Sequence, residues 1–330
     1  CRLLSLNVDR NGEITALEKK NLQFNKIETK SYVNDYSSKM MYKKEILKIY
    51  NDNNDNNFNK ENSFLIDINL SPADIEKIKK VYSSSKKIML EIISSDNIPE
   101  KLIQIEIDPY GYVNSKRVKK DGITYFGYQN ESTELDYILK NSDNFYDENL
   151  NGKHFMIKFN PDDLNYYIKD LGIGCGTFIK IQEWTEIRNN LLLNIGDNYI
   201  VFSSDDDEDN NNLENNINNI KNNNNDLNIK IFSMKEQQIF TLTPENCPVI
   251  IGRSNDNNIV IDDDLLSRNH CTIDFSNGKW YIQDGYAKNG LKEEEIKRST
   301  NGSWIYAYDE IKIVDKMVFK ANHTLFICNL

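Results

Sequence analysis

The sequence predicts a mainly β fold, with two β-sandwiches in tandem joined by an acidic, Asn-rich linker and preceded by a small helical and α+β extension. Short apolar runs at 249–251 and 259–261 have the length of buried strands that end in polar loops. Aromatic-rich alternating runs at 124–128 and 166–170 repeat this pattern earlier in the chain. A tract without aromatic residues, 204–227, separates the two halves.

Composition narrows the class of protein. The 330 residues suit about two or three domains. The net charge of −11 argues against nucleic acid as a partner, because such surfaces need clustered Lys and Arg. No apolar run approaches the roughly 20 residues of a membrane span, so we expect no membrane partner either. We predict no signal peptide, and a longer parent chain stays open because the sequence does not begin with Met.

Cysteine usage predicts a cytoplasmic or nuclear protein. The five cysteines are scattered without the spacing of a metal site, and several stand inside apolar runs. They are therefore expected to be reduced thiols, as in the cytosol or nucleus.

The N-terminal segment 1–50 is predicted to be helical, over 19–25 and 38–49, and contains a candidate metal loop. Its oxygen-bearing residues have the order of a calcium-binding loop, with a Gly at the sixth position. The motif resembles an EF-hand loop, which implies calcium ligands at Asn7, Asp9, Asn11, Glu13 and Glu18. A neutral amide at Asn7 departs from the usual Asp, and a polar turn between helices is the alternative interpretation.

The next two segments are an Asn-rich linker at 51–62 and a small α+β extension at 63–98. Ser71, Pro72 and Asp74 are typical of a helix start, with Ser71 as the N-cap, and the helix should run to about residue 82. Runs at 64–68 and 88–93 are predicted strands. The second linker, 204–227, is predicted to be a flexible tether, because it cannot bury enough apolar surface to fold.

Within the last domain, 228–330, polar residues with hydrogen-bond donors follow short strands. These are the pair Gly252-Arg253, the Ser267-Arg268-Asn269-His270 stretch, a Trp-containing strand at 279–284 and an Asn-Gly turn. In this order they resemble the forkhead-associated (FHA) domain, a β-sandwich that binds phosphothreonine peptides. The resemblance covers roughly 227–330.

The resemblance implies roles for individual residues. It implies phosphate ligands at Arg253 and Ser267 with Arg268 beside them, a grip on the ligand by Thr300 and Asn301, and structural roles for Gly252, His270 and Gly302. It also implies a preference for phosphothreonine over phosphoserine.

Two Asn-Gly pairs compete for the turn. Asn289-Gly290 has the family's spacing from Asp284, whereas Asn301-Gly302 lies further on. We prefer the later pair, because a hydroxyl residue precedes its Asn and a strand-like run follows it. Residues 292–298 are then a charged insertion.

The residue types suit a phosphate-binding site on chemical grounds alone, independently of the resemblance to the family. A phosphate monoester carries about −1.5 to −2 charges and three acceptor oxygens, so its site needs a guanidinium with short hydroxyl and amide donors. Arg253, Ser267, Thr300 and Asn301 form such a set. A solvated surface Arg and a plain hairpin turn are the alternatives.

An earlier segment, 99–203, repeats the order of these strands, and we interpret it as a degenerate FHA-like sandwich. His154 matches His270, and the turn 174–178 stands where the Asn-Gly turn would be. Tyr128, Asn151 and Cys175 replace the Arg, Ser and Asn. The repeat is therefore expected to keep the fold and to lack the phosphate ligands, and residues 198–202 are its predicted closing strand.

These observations favour a non-enzymatic reader of phosphorylated proteins. The chain has only three histidines and no recognisable catalytic motif, so we expect no catalytic residues and, apart from calcium, no cofactor. The predicted function is an adaptor or signalling protein whose partners are threonine-phosphorylated proteins. The alternative is a regulatory, calcium-responsive, non-catalytic arm of a larger enzyme such as a kinase or ubiquitin ligase.

Overall fold

The computed structural model describes residues 4–5, 36–54, 71–94, 103–117, 120–128, 135–139, 152–204, 225–287, 296–322 and 324–330. The chain divides into two compact units, each with its own main hydrophobic core. The first unit comprises Tyr36–Lys180 and Tyr306–Leu330. The second unit comprises Cys1–Asp35, of which the strand Leu4–Ser5 is described, and Ile181–Ile305.

The described elements are two α-helices, two short 3-10 turns and twenty-four strands. The helices are α1 (Tyr36–Asn54) and α2 (Pro72–Val81), and the 3-10 turns are Tyr82–Ser84 and Pro244–Asn246. The first twelve strands are β1 (Leu4–Ser5), β2 (Ile88–Ser94), β3 (Ile103–Asp108), β4 (Gly111–Tyr112), β5 (Ile123–Tyr128), β6 (Tyr137–Ile138), β7 (Gly152–Asn160), β8 (Asn165–Asp170), β9 (Thr177–Lys180), β10 (Thr185–Glu186), β11 (Leu192–Ile195) and β12 (Asn198–Ser204). The others are β13 (Leu227–Phe232), β14 (Gln237–Leu242), β15 (Val249–Gly252), β16 (Ile259–Val260), β17 (Cys271–Ser276), β18 (Lys279–Asp284), β19 (Tyr286–Ala287), β20 (Ile296–Lys297), β21 (Ser303–Tyr306), β22 (Ile311–Lys312), β23 (Val318–Ala321) and β24 (Thr324–Asn329).

The second unit is a β-sandwich. One of its sheets has the order β1-β14-β13-β12-β11-β21, and the other has the order β10-β18-β17-β15-β16. Alternate residues of β13, namely Leu227, Ile229 and Ile231, are buried, as expected of a strand covered on one face. Ile251 and Ile282 of the other sheet pack into the same core. The two sheets therefore cover one another.

The first unit has the same layered arrangement. Its sheets have the orders β9-β23-β24-β2-β3-β4 and β22-β8-β7-β5-β6. The rings of Phe126 and Phe155 stack with centroids 4.4 Å apart, and those of Phe319 and Phe326 stack at 4.6 Å. Phe126 meets Phe326 edge-on at 6.5 Å across the two sheets. The predicted mainly β fold is confirmed.

The closing strands of each sandwich differ from the prediction. Strand β12 pairs with β13 of the second unit, where Ile200 faces Ile231, rather than closing a sandwich over 99–203. Strand β24 pairs with β2 of the first unit, where Phe326 faces Ile92, rather than closing a sandwich over 228–330. The compact units therefore do not follow the predicted boundaries, because β pairing is non-local and two similar sandwiches accept each other's closing strands.

The chain passes from one unit to the other at residues 180–181 and 305–306, and matching hydrogen bonds lie next to these two points. In the second unit the Ile181 amide donates to the Ser303 carbonyl at 2.9 Å, and in the first unit the Ala307 amide donates to the Thr177 carbonyl at 2.9 Å. These bonds anchor the chain where it enters the strands that close each sandwich.

Both helices of the described chain belong to the first unit. Ser71 caps α2, since its hydroxyl accepts the Asp74 amide at 3.2 Å, as predicted. Helix α1 extends past the predicted end into the predicted 51–62 linker, because packing of Ile46 and Tyr50 overrides the low helix propensity of Asn. Strand β2 lies inside a sheet, not in a separate 63–98 extension.

Several predicted elements lie outside the described residues. They are the helix 19–25, the strand 64–68, the metal loop with Asn7, Asp9, Asn11, Glu13 and Glu18, and most of both linkers. Among the described helices, neither is long and apolar enough to cross a membrane.

We expect substitutions in the closing strands to damage the unit that each strand completes. Truncating a fully buried Ile or Phe costs about 2–5 kcal/mol, so Ile200→Ala in β12 should raise amide hydrogen exchange in β13 and leave β2 protected. Phe326→Ala in β24 is the matched control and should do the reverse. Loss of protection in β2 on Ile200→Ala would contradict the strand assignment.

Candidate functional site

The candidate site of the second unit is built where β15 ends. The Arg253 amide donates to the Ser267 carbonyl at 3.2 Å, and the Ser254 amide donates to the Arg268 carbonyl at 3.1 Å. A Cβ at Gly252 would lie 2.3 Å from the Arg268 carbonyl oxygen, so only Gly permits this approach. The two loops that carry the predicted phosphate ligands are thereby fixed side by side.

Two guanidinium groups stand free at this site. Arg253 and Arg268 are both exposed, and among the described residues neither side chain has a hydrogen-bond or ion-pair partner. The side-chain amide of Asn257 donates to the Arg268 carbonyl, which orders the loop below these side chains. Positive charge without an internal partner is available to an anionic ligand.

Ser267 and Thr300 are in direct contact. The Thr300 amide donates to Ser267 Oγ at 2.9 Å, and Ser267 Oγ donates to Thr300 Oγ1 at 3.3 Å. Thr300 is exposed and Ser267 is half-buried. Residues separated by more than thirty positions in the sequence therefore present two hydroxyls at one place.

Asn301 has a role beyond the predicted one. Its side-chain amide donates to the Leu265 carbonyl at 2.7 Å, and its own carbonyl accepts the Trp304 indole N–H at 2.8 Å. These bonds tie the turn 299–302 to the loop that precedes Ser267. The alternative pair Asn289-Gly290 lies outside the described residues.

A buried carboxylate holds the turn in place. Asp284 is fully buried and accepts the Ser299 amide at 3.2 Å, the Ser299 hydroxyl at 2.6 Å and the Ser303 hydroxyl at 2.8 Å. The Ser299 hydroxyl accepts in turn the Gly302 amide at 2.9 Å. Thr300 is thus presented by a turn whose polar groups are satisfied.

Asp284 and Ser299 are the functional positions that the sequence did not assign. In the sequence, Asp284 served only to measure the spacing to the Asn-Gly turn, and Ser299 was a hydroxyl residue next to Thr300. Their roles depend on a contact across 15 residues that spacing alone does not show.

His270 is hydrogen-bonded through both of its ring nitrogens. It is fully buried, its Nδ1 accepts the Ser267 amide at 3.1 Å, and its Nε2 donates to the Gly302 carbonyl at 3.1 Å. These two bonds require a neutral imidazole with the proton on Nε2, and burial lowers the pKa of His270. Gly302 has a φ of +78°, which fits its predicted place in the turn.

The first unit has the same close glycine approach at the corresponding place. A Cβ at Gly127 would lie 1.9 Å from the Gly152 carbonyl oxygen, as at Gly252 in the second unit. Tyr128 packs edge-on against His154, with ring centroids 4.8 Å apart. The loop with Asn151 lies outside the described residues.

No group of His, Cys, Asp and Glu in the described parts of the chain has the arrangement of a metal site. The candidate calcium loop is not among those parts.

Comparisons with known proteins match the segment of the chain that contains the candidate residues. A family model described as "FHA domain" matches residues 249–314. The FHA domain-containing protein FhaB of Mycolicibacterium smegmatis is 34% identical over 59 residues, which are 18% of this chain and 38% of that protein. FhaB of Mycobacterium tuberculosis is 32% identical over 59 residues, with the same coverage. This chain therefore spans less than two fifths of the length of these relatives.

One solved structure, from a study of phosphothreonine-dependent FHA domain interactions, is also similar. It is 21% identical, and the match covers 27% of this chain and 83% of that one with a TM-score of 0.13.

We expect Asp284→Ala to destabilise the second unit by about 2–4 kcal/mol, because it leaves three buried donors without an acceptor. Chemical denaturation followed by tryptophan fluorescence would measure the loss. Asp256→Ala is the control, because Asp256 is exposed and should change stability by less than about 0.5 kcal/mol. Equal effects of the two changes would contradict the role of Asp284.

His270 should make the second unit less stable in acid. The unfolded chain takes up a proton at the ordinary pKa of about 6.5, whereas the folded state resists protonation. The contribution of neutral His270 to stability is therefore complete above that pH and declines as the pH falls below it. His270→Asn should flatten this part of the plot of melting temperature against pH, and an unchanged slope would show that another group is responsible.

Proposed function

Because the C-terminal part of this chain contains an FHA domain, we propose that the second unit binds threonine-phosphorylated proteins. The phosphate would lie among Arg253, Ser267 and Thr300, with Arg268 at the rim. The observation that carries the proposal is the arrangement of the loops: backbone hydrogen bonds hold the segments of Arg253 and Arg268 side by side, next to the contacting hydroxyls of Ser267 and Thr300. Both Arg side chains are exposed and have no partner among the described residues. Such a set matches the charge and the acceptor oxygens of a phosphate monoester.

The proposed role is that of a non-catalytic adaptor. In this role a kinase phosphorylates a threonine of the partner protein, and this chain recruits the phosphorylated protein. Binding needs only rigid donors, and the site is stiffened by Gly252, Asp284 and His270 beneath the exposed side chains.

Charge around the site supports a selection against acidic partners. Asp256 and Asp264 are exposed on the two loops that flank Arg253 and Ser267. A ligand with acidic residues next to its phosphothreonine would meet like charge there, whereas basic residues would be attracted. We therefore propose partners with basic or neutral residues flanking the phosphothreonine.

Arg253→Ala should weaken binding of a phosphothreonine peptide by the full-length chain roughly 30- to 150-fold, the equivalent of losing about 2–3 kcal/mol of charge-assisted hydrogen bonding. Peptides selected from a phosphothreonine library, titrated calorimetrically, would provide the measurement. Ser267→Ala should weaken binding in the same direction by a smaller factor.

The matched control is Arg188→Ala. Arg188 is also an exposed Arg of the second unit, and it lies near Lys279, at the end of the β17–β18 pair remote from His270. Equal affinities of Arg253→Ala and Arg188→Ala would rule out the proposed phosphate site. Equal binding of the unphosphorylated peptide would rule out phosphate recognition.

A further inference from the structure

The first unit has a turn at the place where the second unit has its candidate ligand-binding turn. The Leu171 amide donates to the His154 carbonyl at 2.8 Å, and the Gly285 amide donates to the His270 carbonyl at 2.7 Å. The turn 171–176 in the first unit therefore follows the same backbone pattern as the segment that leads to 299–302. It ends at Thr177, as the other turn ends at Ser303.

Helix α1 lies against this turn. A Cβ at Gly176 would come within 2.9 Å of Leu47 Cδ1, and a Cβ at Gly172 would lie 3.7 Å from Asn51 Nδ2. Both glycines have positive φ, +81° and +79°. The turn approaches the helix so closely that a side chain at Gly176 would displace Leu47.

Hydrogen bonds connect α1 to the carboxylate that corresponds to Asp284. Asn51 Nδ2 donates to Tyr306 Oη at 3.1 Å, and Tyr306 Oη donates to Asp170 Oδ1 at 2.8 Å. Asp170 ends β8 as Asp284 ends β18, and it also accepts the Gly172 amide at 2.7 Å. In the first unit this carboxylate thus holds both the turn and, through Tyr306, the helix.

Apolar contacts add to these hydrogen bonds. Ile46, Leu47 and Tyr50 are 0%, 4% and 4% exposed, so one face of α1 is completely covered. The Tyr50 ring meets Tyr306 edge-on at 5.8 Å and Tyr308 edge-on at 5.6 Å. A helix face with these anchors is the kind of ligand that a hydrophobic groove binds.

The polar interior of the same edge is occupied by Asn322. Its Oδ1 accepts the Cys175 amide at 2.7 Å, and its carboxamide nitrogen lies 2.9 Å from His154 Nδ1. In the second unit the corresponding histidine nitrogen accepts the Ser267 amide instead. The donors that would face a ligand are therefore bonded within the first unit.

We propose that this edge of the first unit is a helix-binding site, and that α1 of the same chain is its ligand. The repeat has kept the position of the binding edge and replaced phosphate recognition by recognition of an amphipathic helix through Leu47, Tyr50 and Asn51. This proposal is independent of phosphopeptide binding by the second unit.

The test uses the full-length chain with protease recognition sequences placed in the segments 28–35 and 55–62, so that cutting separates α1 from strand β1, which pairs with β14 of the second unit. The folded protein is cut, and retention of the fragment that contains α1 is measured by native size exclusion. We expect the fragment to stay bound and to be exchanged by an excess of a synthetic peptide of residues 36–54. An unphosphorylated peptide of the same composition in scrambled order should not exchange it.

Point variants show whether the helix face is the determinant. The double variant Leu47→Ala, Asn51→Ala should bind the fragment at least tenfold more weakly. On dilution, its fragment should therefore dissociate at protein concentrations at least tenfold higher than in the wild type. The matched control Lys48→Ala, on the exposed face of α1, should behave as the wild type. Asn51→Ala alone removes only a half-buried carboxamide and provides a readout if the double variant fails to fold before cutting.

Three outcomes would overturn the proposal. They are immediate loss of the fragment from the cut wild type, equal retention by the double variant and Lys48→Ala, and displacement of the fragment by a phosphothreonine peptide. Displacement by a phosphothreonine peptide would show that this edge of the first unit still binds phosphate. Failure of phosphopeptide binding at the second unit would leave all three readouts unchanged, so the two proposals can fail separately.

Discussion

Each sandwich is held closed by backbone pairing with strands from a remote part of the chain. Strand β12 reaches β13 across the predicted linker, and β24 reaches β2 across more than two hundred residues. Without these partners, one sheet of each sandwich would lose its central strands and expose its core to water. The site depends on the same pairing, because β21 is paired with β11 and carries the end of the turn that presents Thr300. The loops are therefore only as rigid as the strands that close the sandwich beneath them.

Local chemistry was predictable from the sequence, and long-range pairing was not. The strand at 249–251 and the Ser71 cap follow from residue type and spacing, which act over a few positions. The run 198–202 was assigned to the wrong sandwich, and 324–329 fell within the wrong predicted domain, because the pairing of a strand with a remote partner is not visible in its own residues. Helix α1 was predicted too short because its last turn is stabilised by a hydrogen bond from Asn51 to Tyr306, which lies far away in the sequence. The roles of Asp284 and Ser299 were missed for the same reason.

The two units show how one binding edge can be specialised in two ways. In the second unit the Asp284 carboxylate accepts hydrogen bonds from Ser299 and Ser303, and within the described part of the chain the exposed side chains of Arg253 and Arg268 have no partner. In the first unit the equivalent Asp170 bonds to Tyr306, which bonds to Asn51, so the edge is linked to a helix. The difference lies in a few side chains on a shared backbone. Both units keep a glycine, Gly127 or Gly252, where the strand comes so close to a neighbouring backbone carbonyl that a Cβ would not fit. This contact is between two backbone segments and does not involve the ligand.

The interleaved order of the segments has a consequence for synthesis of the protein. A chain leaving the ribosome usually completes its domains from the N-terminus onwards. Here the stretch Ile181–Ile305 contains every long strand of the second sandwich, whereas the first sandwich must wait for Tyr306–Leu330. The second sandwich can therefore form its long strands first. Until Tyr306–Leu330 is synthesised, the first sandwich lacks β23 and β24, the two strands that lie between β9 and β2 in its sheet. A premature stop within Tyr306–Leu330 would therefore leave incomplete the sandwich whose other strands are synthesised earlier in this chain.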